Sequence, residues 1–225
     1  VNIDLEKTYD ATTNVAGSDL KTNGITNTVL GHSLSLNGTG TMASTGVGLD
    51  KSVTIGTLSL SGAQASNYTL TGGNHTIDVT PRTTNASGSR HYDGSLSVRG
   101  SVFNNFTNIV GSDTVTVSGA GTITTSPSVG SKGVSLGTLA SAHPNYILGS
   151  ASMTVTQRPV SLRGSRIADG NLVVDASELS IANLANGENL TLTGSGSINA
   201  SVPGTSASIN LISLTISNGT GSSAG

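Results

Sequence analysis

Leu34-Ser35-Leu36-Asn37-Gly38-Thr39-Gly40-Thr41-Met42 places apolar side chains at every second position, interrupts them with a Gly-x-Gly pair, and resumes them beyond it. A period of two is that of a β-strand, and glycine tolerates the positive φ of a tight reversal, so the stretch predicts a hairpin. The same pattern returns as Val115-Thr116-Val117-Ser118-Gly119-Ala120-Gly121-Thr122-Ile123, and again as Leu190-Thr191-Leu192-Thr193-Gly194-Ser195-Gly196-Ser197-Ile198. Three copies of one pattern make the chain a repeat protein.

Working outward, a second block follows each copy. Val53 and Ile55 hold one parity, then Leu58 and Leu60 the other; Val134 and Leu136 give way to Leu139, and Ile209 and Leu211 to Leu214 and Ile216. A one-residue slip would turn the apolar face outward, so an extra residue must be absorbed there. A β-bulge or strand bend is predicted near Gly56, Gly137 and Ile212. Upstream, each copy opens alike, with Lys7-Thr8-Tyr9-Asp10-Ala11, Arg90-His91-Tyr92-Asp93-Gly94 and Arg166-Ile167-Ala168-Asp169-Gly170. Downstream come Asn67-Tyr68-Thr69-Leu70 and Asn145-Tyr146-Ile147-Leu148, then Thr80-Pro81-Arg82 and Gln157-Arg158-Pro159. Proline cannot donate to a ladder and suits a strand exit or a stiff junction.

Repeats therefore start near Val1, Thr84 and Val160, giving residues 1–83, 84–159 and a partial 160–225. The last reaches Gly225 where the next Asn-Tyr is due, and is expected to lack two strands. About seven short strands per repeat predict an all-β chain of tandem Ig-like β-sandwiches in an elongated array. The stretches from Leu20 to Leu30, Val102 to Val110 and Glu178 to Leu184 are expected to be loop or a single helical turn.

Composition narrows the function. Charged residues are 10% of the chain and the net charge is −2, which excludes an electrostatic footprint for nucleic acid. No apolar run approaches the roughly 18 residues of a membrane span. There is no cysteine, and so no disulfide, thiol chemistry or thiolate metal site. The chain begins at Val1 with neither a start methionine nor a signal peptide, from which a piece excised from something longer is expected.

The Tyr9-Asp10-Ala11-Thr12-Thr13 and Tyr92-Asp93-Gly94 openings, the Asn67-Tyr68-Thr69-Leu70 block and the Thr80-Pro81-Arg82 close together resemble the YDG-type repeat. Such repeats occur in large bacterial surface proteins similar to filamentous haemagglutinin and other two-partner-secretion adhesins. The resemblance covers essentially the whole chain, as two full repeats and one partial. It implies a secreted, multi-repeat protein on the outer-membrane exterior, serving adhesion or biofilm formation, with neighbouring repeats as its nearest partners. The third repeat departs from the pattern, with Ala168 in the tyrosine position and no Asn-Tyr block. The family offers no catalytic or ligand residues to carry over.

The residues themselves favour structural roles. Tyr9 and Tyr92, beside a turn, are expected to pack on the core with the hydroxyl bonded to backbone. Asp10, Asp93 and Asp169 persist where the tyrosine does not, which suits an Asx-type turn. Calcium is the sharper alternative for them, but it needs six to eight oxygens and no D-x-D-x-D-G loop is present. Tyr68 and Tyr146, at the expected entrance to the penultimate strand, suit a tyrosine corner tying back to a loop. His32, His75, His91 and His143 read as scattered surface residues, with no HExxH or comparable spacing. No nucleophile elbow or carboxylate pair points to an enzyme, and no cofactor is expected. Asn-x-Ser/Thr triplets at Asn37, Asn67, Asn85, Asn105, Asn189 and Asn199 have the pattern of glycan acceptors, but so Asn-, Ser- and Thr-rich a chain produces them often by chance. A stalk or spacer is the leading expectation. Its rivals are a carbohydrate-binding module using Phe103 and Phe106, in an expected loop, on a surface glycan or exopolysaccharide, and self-association through sandwich edges.

Overall fold

The computed structural model describes residues 1–225 except 186, 200, 201, 205 and 219–225, and the described chain is all-β apart from four single 3-10 turns. The first repeat contributes β1 (Asn2–Thr8), β2 (Asn14–Ala16), β3 (Leu20–Thr26), β4 (Ser35–Asn37), β5 (Thr39–Met42), β6 (Gly48–Thr54), β7 (Ser59–Ser61) and β8 (His75–Thr80). Six of these form one sheet in the order β2-β5-β6-β8-β1-β3, while β4 and β7 pair by themselves. In its middle β1 and β8 run parallel, from Ile3 opposite His75 to Thr8 opposite Thr80. That parallel pair departs from the antiparallel sheets of an Ig-type sandwich. Alternation explains the faces: Ile3, Leu5, Ile77 and Val79 are buried. On the other face Lys21 Nζ lies 2.9 Å from Asp4 and 2.7 Å from Asp78, tying β3 to β1 and β8.

The Gly-x-Gly stretch is not a hairpin. β4 pairs with β7, whereas β5 pairs with β2 and β6, so Gly38 carries the chain from one sheet to the other. Gly38 has φ +84°, and a Cβ there would stand 2.2 Å from the Thr57 carbonyl oxygen, so only glycine fits. The parity change near Gly56 is likewise a turn between sheets rather than a bulge. Thr57 N donates to Thr39 O at 2.8 Å and Leu58 N to Ile55 O at 2.9 Å, and the extra residue re-aims the apolar face as β6 hands over to β7.

The second repeat repeats this order. Its strands are β9 (Arg82–His91), β10 (Ser97–Arg99), β11 (Phe103–Phe106), β12 (Val117–Ser118), β13 (Ala120–Ile123), β14 (Gly130–Ser135), β15 (Ala140–Ser141) and β16 (Tyr146–Thr156). They form a sheet β10-β13-β14-β16-β9-β11 and a pair β12-β15. The third repeat has β17 (Ser161–Gly164), β18 (Val173–Asp175), β19 (Leu179–Ala182), β20 (Leu190–Thr193), β21 (Ser195–Ile198), β22 (Ile209–Asn210) and β23 (Thr215–Asn218). These stand as β17-β19, β18-β21-β22 and β20-β23. Among the described residues it has counterparts of β1 to β7 and none of β8. In the first repeat only β8 follows Asn67-Tyr68, one strand where the sequence led us to expect two.

The stretches expected to be loop or helical turn are instead headed by strands. The turn Gly17–Asp19 ends just before the first stretch, the turns Gly100–Val102 and Ala176–Glu178 end on the first residue of the other two, and β3, β11 and β19 follow. Backbone contacts divide the chain into two compact units, Val1–Ser87 with Arg99–Gly121 and Leu136–Ala151, and Gly88–Val98 with Thr122–Ser135 and Ser152–Gly225. In the first, the core of Ile3, Leu5, Tyr9, Val15, Ile77 and Val79 continues into Val115 and Tyr146 of the second repeat.

Candidate functional site

The repeated motif residues gather at two kinds of place, the corner between the first two strands of each repeat and the junction where one repeat meets the next. At the corner, Asp10 Oδ1 accepts the Thr12 amide at 2.9 Å, Asp93 Oδ1 that of Ser95 at 2.9 Å, and Asp169 Oδ1 that of Asn171 at 2.9 Å. The residue after each aspartate, Ala11, Gly94 or Gly170, has a positive φ. A cation spans every corner. Lys7 lies 3.0 Å from Asp10 and donates to Asn14 O at 2.6 Å. Arg90 lies 3.1 Å from Asp93 and donates to Ser97 O at 2.7 Å. Arg166 lies 2.6 Å from Asp169 and bonds Val173 O. Burial pushes the Asp10 carboxyl up, but the Thr12 amide and Lys7 outweigh it and hold its pKa below the usual value. The Asn171 amide, with Arg166, lowers that of Asp169 against a smaller effect of burial.

The first junction lies inside the first unit. Tyr9 Oη and Tyr146 Oη each donate to Asp113 Oδ2 at 2.9 Å. Their rings meet edge to face, with centroids 5.6 Å apart. Tyr146 Oη also accepts the Val110 amide at 3.0 Å, so its hydroxyl ties the start of β16 to a loop. Beside it Asn145 Oδ1 accepts the Val47 amide at 3.0 Å, and Asn145 O accepts that of Arg82 at 2.9 Å. Arg82 completes the clamp, donating to Tyr9 O at 3.2 Å, to Asn108 O at 2.9 Å and to Asn108 Oδ1 at 2.7 Å. Asn108, at φ 62°, returns a bond to Thr83 O at 2.7 Å. Burial and then the Asp113 carboxylate push the Tyr9 phenol up. Burial foremost raises Tyr146 as well, so both phenols stay protonated as donors.

Within the second unit the second junction repeats the clamp. Tyr92 Oη donates to Glu188 Oε1, and that bond, ahead of burial, raises the phenol. Arg158 donates to Asn183 O at 2.6 Å and to Tyr92 O at 3.4 Å. Asn183, at φ 58°, donates to Pro159 O at 2.8 Å. In the first repeat the same loop carries His32, whose Nδ1 lies 2.6 Å from Tyr68 Oη, which accepts the Val29 amide at 3.0 Å. His32, Asp113 and Glu188 thus occupy one position, each donating its amide to the residue three before it.

Tyr68 and Tyr146 lie before and at the start of the last strand of their repeats, not the penultimate one. Of the histidines, His91 is exposed and His32 half-buried, whereas His75 is buried with Nε2 2.7 Å from Leu70 O, and the half-buried His143 packs edge to face on Tyr146 at 5.0 Å. Phe103 and Phe106 sit on β11 rather than in a loop, Phe103 buried and Phe106 packed against the core of the first unit. Asn67 ends the 3-10 turn Ala65–Asn67. Among the described residues no three His, Asp or Glu side chains gather as a metal site, and no helix is long and apolar enough to cross a membrane. Sequence reasoning missed Asp113 and Glu188 and did not connect His32 with them, because the position varies in residue type. Its signal is spacing, five residues after an asparagine at positive φ (Asn27, Asn108 or Asn183).

Compared with known proteins, residues 2–77 match the YDG domain, a span running from β1 into β8. Neither a curated protein nor a solved structure matches the chain.

Proposed function

We propose that this chain is a run of spacer repeats, Ig-like sandwiches in tandem, from an exported bacterial surface protein of the adhesin class. The observation that carries the reading is where the motif residues go. Tyr9 and Arg82 serve the first junction and Tyr92 and Arg158 the second, so the residues that recur are used to join successive repeats. Their donors and acceptors are satisfied inside the protein, and such groups are poor ligand contacts. All six Tyr and Phe rings are buried or half-buried, which leaves no flat aromatic face for a sugar. The secretion route, the cell-surface location and a part in adhesion or biofilm rest on the likeness to the YDG repeat. No enzymatic activity or cofactor belongs to this reading.

Small-angle scattering tests it. A spacer gives an extended particle whose largest dimension grows with each added repeat. A compact globule would overturn the proposal, and binding of an isolated repeat on a glycan array would replace it with the carbohydrate-binding alternative.

A further inference from the structure

In the first repeat the strand that opens the fold and the strand that closes it are neighbours. β1 and β8 lie inside the sheet, between β3 and β6, and run parallel through six opposed pairs, from Ile3 beside His75 to Thr8 beside Thr80. The ladder is secured at both ends of that register: Ile3 N donates to Asn74 O at 3.3 Å, and Tyr9 N to Thr80 O at 2.9 Å. Strand direction decides how tension acts on such a pair. The chain enters at the Asn2 end and leaves at the Thr80 end, so a pull along it draws β1 one way and β8 the other. The evenly spaced bonds of a parallel ladder are then loaded side by side, in shear, and must fail together. An antiparallel pair would put entry and exit at one end, and its bonds would open one after another.

Two further features suit a loaded ladder. Lys21 Nζ, on β3, lies 2.9 Å from Asp4 of β1 and 2.7 Å from Asp78 of β8, and so ties the two strands that tension would slide apart. Its side chain is 25% exposed and that of Asp78 17%, which shields the tie from screening. Beyond Thr80 a single residue, Pro81, stands before β9 begins at Arg82. The proline ring fixes φ, so the connection has little slack. Arg82 in turn donates to Tyr9 O at 3.2 Å, holding the exit of β8 against the end of β1. The end bond recurs in the second repeat, where Tyr92 N donates to Thr156 O at 2.8 Å and β16 lies beside β9.

We infer that the β1–β8 pair is a shear clamp, and that the first repeat carries tension along the chain as well as holding distance. That load is the one a spacer bears, so the role rests on the spacer reading, while the resistance rests on β1, β8 and the Lys21 tie.

Single-molecule pulling of the whole chain tests it, with handles on introduced cysteines in a chain that has none of its own. Handles at Val1→Cys and Thr83→Cys load the pair in shear, and handles at Val1→Cys and Asn74→Cys load it from one end. At equal loading rate the shear geometry should need at least about twofold more force, because forced unfolding follows the unfolding barrier and the bonds share it. Equal forces overturn the inference. A second variant gives the first repeat the residues that the second has at the same places, counted from the paired tyrosines, threonines and 3-10 turns. Asp4→Ser, Lys21→Asn and Asp78→Thr copy Ser87, Asn104 and Thr154 and leave no charge unpaired. The shear force should fall at least about 1.3-fold and the end-loaded force should not change. Equal falls in both would make the tie a matter of general stability and overturn its place in the clamp. A compact globule in scattering would remove the spacer and with it the load, whatever the ratio of forces. An extended particle with equal forces would remove the clamp alone.

Discussion

The two junctions share a clamp and differ in what packs upon it. At both, an arginine donates to the carbonyl of the motif tyrosine and to that of an asparagine at positive φ. At the first, Tyr9 is 4% exposed and its ring meets that of Tyr146, with both hydroxyls on one carboxylate. At the second, Tyr92 is half-buried and donates to Glu188. The clamp is built on main-chain carbonyls and tolerates sequence change. At the first junction the aromatic layer is built with the tyrosine that the following repeat brings.

Truncation should expose that difference most strongly. Tyr9→Ala is expected to cost about 3–5 kcal/mol, the range for a large buried aromatic, and Tyr92→Ala roughly half of that. Two-state analysis does not suit a chain with two units, so urea unfolding should be read by hydrogen exchange resolved to each unit. Equal losses would show that the ring–ring contact adds nothing to the clamp.

The next effect comes from the acceptor. Asp113→Ala leaves two phenol hydroxyls without their carboxylate, at a cost of about 1–3 kcal/mol. Glu188→Ala strands one hydroxyl on a half-buried ring and should cost under about 1 kcal/mol. A larger loss at Glu188 would reverse the ranking of the junctions.

How far the sequence foretold this follows from the physics of each feature. The repeats were legible because strand alternation and obligatory glycines leave a strict pattern: a Cβ at Gly38, Gly119 or Gly194 would lie 2.1–2.2 Å from a carbonyl oxygen. The pairing was not legible, since alternation says which face is apolar and not which neighbour is hydrogen-bonded; Leu34 to Met42 reads as a hairpin and crosses between sheets instead. At the junction the eye falls on proline. Counted from Thr80 and Thr156, however, the shared residue is arginine, Arg82 and Arg158, while the prolines fall on either side of it. The acidic partners were hidden for a different reason. Asp113 meets Tyr9 across 104 residues of sequence and Glu188 meets Tyr92 across 96, and the same position in the first repeat is His32.

Hydroxyl deletion sharpens the comparison between Tyr146 and Tyr68, which share an amide contact but differ in partner. Tyr146→Phe loses the Asp113 bond and should cost about 1–1.5 kcal/mol, and Tyr68→Phe, facing His32, about 0.5 kcal/mol. In a cycle with Asp113→Ala, the Tyr146 effect should shrink while that of Tyr68 should not. Alkali probes the same bonds. With the phenols of Tyr9, Tyr92 and Tyr146 raised, the unfolded chain ionises first, near pH 10. Their contribution is whole below that pH and is lost as pH rises through the folded values. A flat stability profile from pH 9 to 11 would mean that these hydroxyls are not held as drawn.

The smallest effect belongs to the corners, which recur in all three repeats whatever happens at the junctions. The Asp10 and Asp169 carboxyls are held below the usual value, so the unfolded chain takes up protons first as pH falls. Their contribution is present above the unfolded pKa of about 3.9 and is lost as pH falls through the lower folded values. Asp10→Asn separates charge from geometry. Asparagine can still accept the Thr12 amide in an Asx turn, but it cannot pair with Lys7 as an ion. For so exposed a carboxylate the loss at neutral pH should stay under about 1 kcal/mol and fade in high salt. The variant should also lose Asp10's share of the parent's acid-side slope, with the share of Asp169 left in place. If it keeps the whole slope, the charge of Asp10 is not what steadies the corner, and the turn geometry common to the three repeats carries it alone.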